Sequence, residues 1–458
     1  MPPIIASVSG VRGIMGDSLT PQNIIKFTSA YAQYLQKTSK SRTIVIGRDG
    51  RLHGEVVETM VIATLRMCGY NVINIGVAPT PTVQIATEHT EASGGISITA
   101  SHNPQIWNGL KFLNADGTFL DAKQIDKFLS IAGKSNFKYA DIDNIGTLTE
   151  SKGWLDKHIE KVLKLKLVDV KKIKHKKFKI VVDAVNASGS HIVPKLLKKL
   201  GCKVIPLYCD GSGVFPHMPE PLPHNLKALC KAVKSHGADL GISVDPDADR
   251  LVLITDKGQT YGEENTIATV VNYVLKNAGK SKKNVTVNLS TTRAVEDVTA
   301  HYGGKVFRSP VGEINVVKQM QINGSIVGGE GSGGIILPAL HYGRDAMVGI
   351  ALVLAEFAGY KGKVSDYKKQ ELPQYHITKD KMENVKDPDG ILKKVIAKFK
   401  NEDCKISIID GVKLDFPGHW IHLRKSNTEP IIRIITEAPT EKEASKIQSE
   451  FISSIKKL

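Results

Sequence analysis

The chain has 458 residues, 41% hydrophobic and 24% charged, with a formal net charge of +16 at pH 7. That length exceeds what one core serves, so three or four domains are expected, and the ordinary apolar and charged fractions exclude disordered and fibrous classes. The positive balance admits nucleic acid, acidic membranes and phosphorylated small molecules. Its lysines, however, cluster in runs such as KKIKHKKFK (171–179), where Phe178 is the one Phe, Trp or Tyr, the pattern of solvated helix ends rather than a nucleic-acid stripe.

At the start of the chain, MPPIIASVSGVRGIMG lacks a basic segment leading into an apolar one. No apolar run approaches the roughly 18 residues of a membrane span, so neither export nor membrane insertion is expected. The five cysteines lack C-x-x-C spacing and fit reduced, mostly buried thiols in the cytoplasm. Then βα alternation begins: TIVIGRD (43–49), a helical period from Glu55 to Gly69, NVINIG (71–76) and GGISITA (94–100), a sheet covered by helices. A weakly patterned polar stretch from Gly133 to Gly146 puts the first boundary near residue 150. The pattern restarts at FKIVVDAVNASGSHIVPKLLKKLGCKVIPLY (178–208), followed by two strands around an acidic loop in ADLGISVDPDADRLVLITDKG (238–258). It restarts again at NVTVNLSTTRAVEDVTAHYGGKVFRS (284–309). Three units of roughly a hundred residues suggest a repeated architecture, although identity between them is too weak to establish duplication.

After KGKVSDYKKQELPQ (361–374), expected to be a hinge-like linker, the texture changes. A helix, strands in ISIIDGVKLDF and WIHLRKSNTEPIIRIITEA, and an amphipathic helix from Thr440 make a smaller unit. The expected fold class is α/β: three consecutive mixed α/β domains of similar βαβ architecture (1–150, 151–256, 257–366) plus a smaller C-terminal α+β domain (367–458).

Four loops carry candidate chemistry. In DPDADR, Asp245, Asp247 and Asp249 at i, i+2 and i+4 would point to one side of an extended loop, where their repulsion calls for a hard, oxygen-seeking cation. Mg²⁺ suits it better than Ca²⁺, because the ligand count and glycine position of an EF-hand are missing; an ordinary acidic turn is the alternative. Ser101 in TASHNP follows the apolar ISIT, at the C-terminal edge of a sheet where open α/β folds place ligands. Its hydroxyl is either a nucleophile or a helix cap, and His102 either supports it or is structural. GGEGSGG (328–334) matches neither G-x-G-x-x-G nor the P-loop, but Glu330 and Ser332 among glycines suit close approach of a hydroxylated ligand. In RKSNTEP, Arg424, Ser426, Asn427 and Thr428, with Arg433 beyond, form either a phosphate cradle or a capped turn.

In this order, one per expected domain, these loops resemble the α-D-phosphohexomutase superfamily, which includes phosphoglucomutase, phosphomannomutase and phosphoglucosamine mutase. The resemblance runs from SGVRG (9–13) to RKSNTEP, essentially the whole chain. It implies that Ser101 carries a phosphate, that Asp245, Asp247 and Asp249 hold Mg²⁺ against it, and that Arg250 braces it. Arg12 and Lys111 correspond to basic residues near the transferring group, with Lys111 an acid/base if cationic surroundings lower its pKa, and His102 supports the serine loop. Glu330 and Ser332 would hold the sugar hydroxyls, and Arg424, Ser426, Asn427, Thr428 and Arg433 the non-reacting phosphate. The implied reaction interconverts hexose 6-phosphate and hexose 1-phosphate through phosphoserine and a 1,6-bisphosphate, which also serves as activator. The partner is then a phosphorylated hexose, with no nucleic acid and no membrane, for a monomer or homodimer. Two departures fall where sugar selectivity would be set: Gly333 and Gly334 follow Ser332 where many relatives have S-G-H, and Glu313 in PVGE stands where many carry His or Lys. The overall wording, including HYGRDAMVGIAL (341–352), most resembles a bacterial and archaeal branch of the phosphoglucosamine mutase type, which implies glucosamine phosphate, the alternative being a dual phosphomannomutase/phosphoglucomutase.

Overall fold

The computed structural model describes residues 4–280, 282–425 and 431–456. The first domain holds a seven-stranded mixed sheet built from β1 (Ile5–Ser7), β2 (Gly10–Ile14), β3 (Thr43–Arg48), β4 (Asn71–Val77), β5 (Gly94–Ile98), β6 (Trp107–Asn114) and β7 (Leu148–Glu150), in the order β1-β2-β6-β5-β3-β4-β7. The second has β8 (Lys179–Asp183), β9 (Lys203–Tyr208), β10 (Leu240–Val244) and β11 (Leu251–Thr255), ordered β11-β10-β8-β9. The third has β12 (Asn284–Asn288), β13 (Lys305–Ser309), β14 (Val327–Glu330) and β15 (Gly334–Ile336), ordered β13-β12-β14-β15. Continuous apolar runs such as LGISV and LVLIT are what strands covered on both faces require.

The expected repeat is a repeat of topology. In each sheet a central strand pairs in parallel with two neighbours, one of which turns back into an antiparallel fourth strand: β4-β3-β5-β6, β9-β8-β10-β11 and β13-β12-β14-β15. The turn-back loop of the first unit carries Ser101, that of the second carries the three aspartates, and that of the third carries Ser332. Three loops with unrelated residues therefore occupy one position in the repeated unit, each at the C-terminal end of a buried parallel strand.

The second and third domains share one core. Helix Ala346–Gly359 is apolar on all sides but for Glu356 and buried along nearly its whole length, because it packs on elements of both. Among the described residues no helix is long and apolar enough to cross a membrane. The stretch expected to be a linker is instead helix Val364–Glu371. Its Val364 and Tyr367, one turn apart, are buried in that core. The Tyr367 hydroxyl donates to Glu356 at 2.8 Å and accepts from Asn272 at 2.8 Å. A lysine-rich composition concealed this short apolar face.

The fourth domain is an antiparallel sheet of β16 (His376–Met382), β17 (Lys405–Ser407), β18 (Val412–Asp415), β19 (Trp420–Lys425) and β20 (Ile432–Ala438), ordered β16-β20-β19-β18-β17 and backed by helices Pro388–Phe399 and Glu441–Ile455. Polar contacts tie it to the third domain: Arg293 pairs with Asp415 and donates to the Phe416 and Pro417 carbonyls, and its backbone N–H donates to Glu437. The five cysteines are free thiols, two buried and three half-buried.

Candidate active site

Strand β5 ends at Ile98 and the chain turns sharply, with Ser101 in a left-handed conformation (φ +49°) that costs a non-glycine residue energy. A buried scaffold enforces it. The Ser101 N–H donates to Thr99 Oγ1 at 2.8 Å, and that hydroxyl donates to Asp49 Oδ2 at 2.7 Å. Arg51, fully buried, donates from Nη2 to the carbonyls of Ser101 (2.6 Å) and Asn103 (2.8 Å), from Nη1 to those of Pro104 (2.8 Å) and Trp107 (2.9 Å), and from Nε to Asp49 (3.0 Å). All five guanidinium N–H groups are thus spent on the serine loop and its brace. Arg51→Lys offers at most three donors and no planar fork. Steady-state kinetics should show kcat falling about a hundredfold, the cost of a serine displaced by about an ångström, with KM changed much less and unfolding still cooperative.

Asp245, Asp247 and Asp249 are all fully buried. Asp245 Oδ2 accepts the Ser101 hydroxyl at 3.0 Å, and its Oδ1 accepts the N–H groups of Asp249 and Arg250 at 3.2 Å each. Asp247 Oδ2 accepts Lys111 Nζ (2.5 Å) and Thr80 Oγ1 (2.7 Å). Asp249 Oδ2 accepts Lys111 Nζ (3.3 Å) and Arg344 Nη2 (2.7 Å). The Oδ1 atoms of Asp247 and Asp249 are buried without any hydrogen-bond partner among the described residues. One oxygen from each aspartate lies within 4.8 Å of the others. Orphaned carboxylate oxygens are costly, and an all-oxygen set of this spacing could hold a hard divalent cation. Burial, then repulsion from Asp249 and Asp247, pushes the Asp245 carboxyl far above the usual range. Burial acts the same way on Asp249, but Arg344 and Lys111 overcome it and hold that carboxyl well below.

Lys111 lies on β6 opposite Ser97 and is buried. The cationic environment expected to lower its pKa is not what surrounds it. Burial does oppose its charge, but Asp247 and Asp249 outweigh both burial and the nearby Arg12 and Arg344, so the ammonium is stabilised and its pKa raised. The sequence could not show that β6 runs beside the aspartate loop. Arg12, on β2, donates to Asn103 Oδ1 at 3.2 Å, and burial lowers its pKa against the pull of Asp247. His102 Nδ1 is 3.4 Å from Ser101 Oγ. Burial, with Arg250 and Arg12 nearby, drives its pKa down to about 2, so it is a neutral imidazole. Arg250 Nε is 3.9 Å from Asp245.

Both carboxylate oxygens of Glu330 are engaged, with acceptor capacity left on Oε2: its Oε1 accepts Asn288 Nδ2 (2.8 Å) and the Gly312 N–H (2.9 Å), and its Oε2 accepts Arg344 Nη1 (2.7 Å). Arg344 also donates from Nε to Glu313 at 3.0 Å and from its backbone N–H to the same carboxylate at 3.1 Å. One guanidinium thereby joins Asp249, Glu313 and Glu330. Both sequence departures belong to this arrangement. Glu313 is a partner of Arg344, and a Cβ at position 334 would come within 2.3 Å of Arg344 Cδ, so glycine there makes room for the arginine to cross. Sequence reasoning passed over Arg344 because its three acids come from three separate segments. Arg51, in GRDGR (47–51), offered only its place at the end of β3 as a signal.

These groups line a cavity of about 680 Å³, with Ser101, His102, Lys111, Arg12 and Arg250 toward one side and Glu330 and half-buried Ser332 in the third domain. The fourth domain contributes a row of cations. Lys381, Arg433 and Arg424 are register partners across β16, β20 and β19, and all three line the cavity. Arg424 Nε lies 3.0 Å from Asp410. Directly opposed like charges are unfavourable unless an anion lies between them, and Lys381 carried no sequence signal. Ser426, Asn427 and Thr428 lie outside the described residues.

Four domain models of phosphoglucomutase/phosphomannomutase match in order: domain I over 4–138, domain II over 156–258, domain III over 263–375 and the C-terminal domain over 377–454. The chain belongs to the phosphoglucomutase/phosphomannomutase family. The activity that comes with this membership is that of a phosphohexomutase, an isomerase acting on hexose phosphates. A phosphoglucomutase/phosphomannomutase of Thermococcus kodakarensis is 36% identical, covering 95% of this chain and 94% of the relative. A phosphoglucosamine mutase of Methanococcus maripaludis is 33% identical, covering 98% of each. The crystal structure of a phosphoglucomutase/phosphomannomutase family protein from Burkholderia thailandensis shares the fold, with a TM-score of 0.85 at 24% identity over 99% of this chain and 98% of that one.

Proposed function

We propose that the enzyme interconverts glucosamine 6-phosphate and glucosamine 1-phosphate, with Ser101 as the phosphoryl carrier. The observation that supports this most strongly is the hydrogen bond from Ser101 Oγ to Asp245, beside two orphaned aspartate oxygens, in a cavity whose other wall carries Lys381, Arg433 and Arg424. Asp245, Asp247 and Asp249 would hold Mg²⁺, which when bound spreads the charge of the transferring phosphoryl group. Arg12 and Arg250 add positive charge beside Ser101, and neutral His102 orients its hydroxyl. Lys111 enters protonated, gives its Nζ proton to the departing Ser101 oxygen, and takes the proton of the attacking sugar hydroxyl. The bisphosphate then turns end for end and returns its other phosphate to Ser101, while a hexose 1,6-bisphosphate reloads any serine that has lost its phosphate. Ser332 and Glu330 hold the sugar, and Arg424 and Arg433, with Ser426, Asn427 and Thr428 between them in the sequence, hold the resting phosphate. A basic site for dianions in a cytoplasmic monomer or homodimer also gives part of the +16 charge a purpose.

The phosphoglucosamine mutase relative supports the amino sugar, and the phosphoglucomutase/phosphomannomutase relative supports a second reading, dual action on mannose and glucose phosphates. After phosphatase treatment and then incubation with glucose 1,6-bisphosphate and Mg²⁺, intact mass should show one added phosphate on the parent and none on Ser101→Ala; no phosphate on the parent either before phosphatase or after reloading would exclude Ser101 as carrier. Substrate profiling should give the highest kcat/KM with glucosamine 6-phosphate, and a preference for mannose 1-phosphate would select the second reading.

A further inference from the structure

Glu264, the second residue of helix Glu263–Lys276, lines the same cavity and has no part in the chemistry above. Its carboxylate lies directly over Gly331, the residue between Glu330 and Ser332. A Cβ at 331 would come 2.0 and 2.1 Å from its two oxygens, so glycine is what allows the carboxylate to sit against the loop expected to hold the sugar. One oxygen, Oε2, accepts the Thr292 N–H at 2.9 Å. The other, Oε1, accepts no hydrogen bond among the described residues. Glu330 and Glu313, by contrast, are both answered by Arg344. The nearest candidate cation, Lys379, pairs with the neighbouring Glu263 at 3.8 Å, and no cation among the described residues lies within ion-pair distance of Glu264. Burial accordingly pushes this carboxyl up to about 8, with Lys379 only partly opposing it. The cavity therefore offers, beside the sugar loop, one carboxylate oxygen whose best partner is a cation brought by the ligand.

We propose that Glu264 selects the amino sugar, its Oε1 accepting a hydrogen bond from the 2-ammonium group of a glucosamine phosphate. The proposal rests on the phosphohexomutase reading and names the group that decides its substrate. An ammonium donor and a carboxylate acceptor carry opposite charges, so their bond adds a Coulombic attraction in a partly desolvated site that the hydroxyl of glucose or mannose lacks, and an N-acetyl group removes the charge while adding bulk. The test compares kcat/KM for glucosamine 6-phosphate and glucose 6-phosphate in the parent, Glu264→Gln and Glu264→Asp, all full length with Mg²⁺. Gln keeps an acceptor for Thr292 and loses the charge; Asp keeps the charge and withdraws it. The ratio of amino sugar to glucose should fall about tenfold or more in Glu264→Gln, with a smaller fall in Glu264→Asp, which decides the matter if the Gln variant does not fold. A parent that prefers glucosamine 6-phosphate alongside an unchanged ratio in the variants overturns the role of Glu264 and leaves the substrate assignment standing. A parent that does not use glucosamine 6-phosphate overturns both.

Discussion

Asp245→Asn is expected to leave the metal-free protein at least as stable as the parent while lowering turnover by about a thousandfold or more. The two effects separate if, as proposed, the aspartate loop serves a cation rather than folding. Lys111 and Arg344 answer Asp247 and Asp249 at hydrogen-bond distance, whereas the cation beside Asp245 is Arg250 at 3.9 Å. Three fully buried carboxylates thus face two closely bonded cations. An asparagine retains a carbonyl oxygen for the N–H groups of Asp249 and Arg250 and a polar group toward Ser101, but removes the least compensated charge. Relieving that repulsion should stabilise by roughly 1 kcal/mol or more, since uncompensated buried charge is among the costliest features a fold carries. Turnover falls because several kcal/mol of transition-state charge stabilisation go with the ligand. Denaturant unfolding in EDTA and in millimolar Mg²⁺ checks both halves. The parent should gain stability from the ion and the variant far less. A variant less stable than the parent in EDTA, or one with an undiminished Mg²⁺ response, would mean that the triad is structural.

What was legible in the sequence followed distance along the chain. Strands such as TIVIGR and LVLIT announce themselves through local composition, and the restart of strand, turn, helix and strand shows as a repeat even without identity. The four loops were visible because each gathers its chemistry within a few residues. The electrostatics were not, because they arise between residues far apart in the chain. Lys111 meets Asp247 across 136 positions and Arg344 meets Asp249 across 95, so a pairing that raises the pKa of Lys111 has no local trace. Arg51 was missed for a related reason: four of its bonds go to backbone carbonyls, acceptors that every residue offers and no side-chain pattern signals. The helix at 364–371 failed as a linker prediction because two buried residues, Val364 and Tyr367, outweigh the lysines around them once the core is there to receive them.

Arg344→Met should destabilise the protein by about 3–5 kcal/mol, abolish measurable turnover, and do so in a way that depends on pH. The guanidinium reaches Glu330 and Asp249 at 2.7 Å and Glu313 at 3.0 Å, all with little or no exposure, and methionine fills comparable space without charge. Asp249 would keep Lys111 at 3.3 Å, but Glu313 and Glu330 would lose their one ion-pair partner among the described residues. In the parent, burial already lifts Glu313 above the ordinary carboxyl range against the opposing pull of Arg344, while for Glu330 that pull outweighs burial. Without the arginine both should move up. A carboxyl whose folded pKa lies above its unfolded value binds more protons when folded, so its stability contribution is present at low pH and lost as pH rises through that window. The deficit of the variant should therefore be smallest near pH 5 and grow toward pH 8, a trend that unfolding midpoints across that range would reveal. Adding Glu313→Gln should recover part of the stability, because it removes one of the stranded charges, while turnover stays lost. A deficit independent of pH, or a double variant no more stable than the single one, would show that Arg344 acts through packing rather than by neutralising the acids between the aspartate loop and the glycine-rich loop at 328–334.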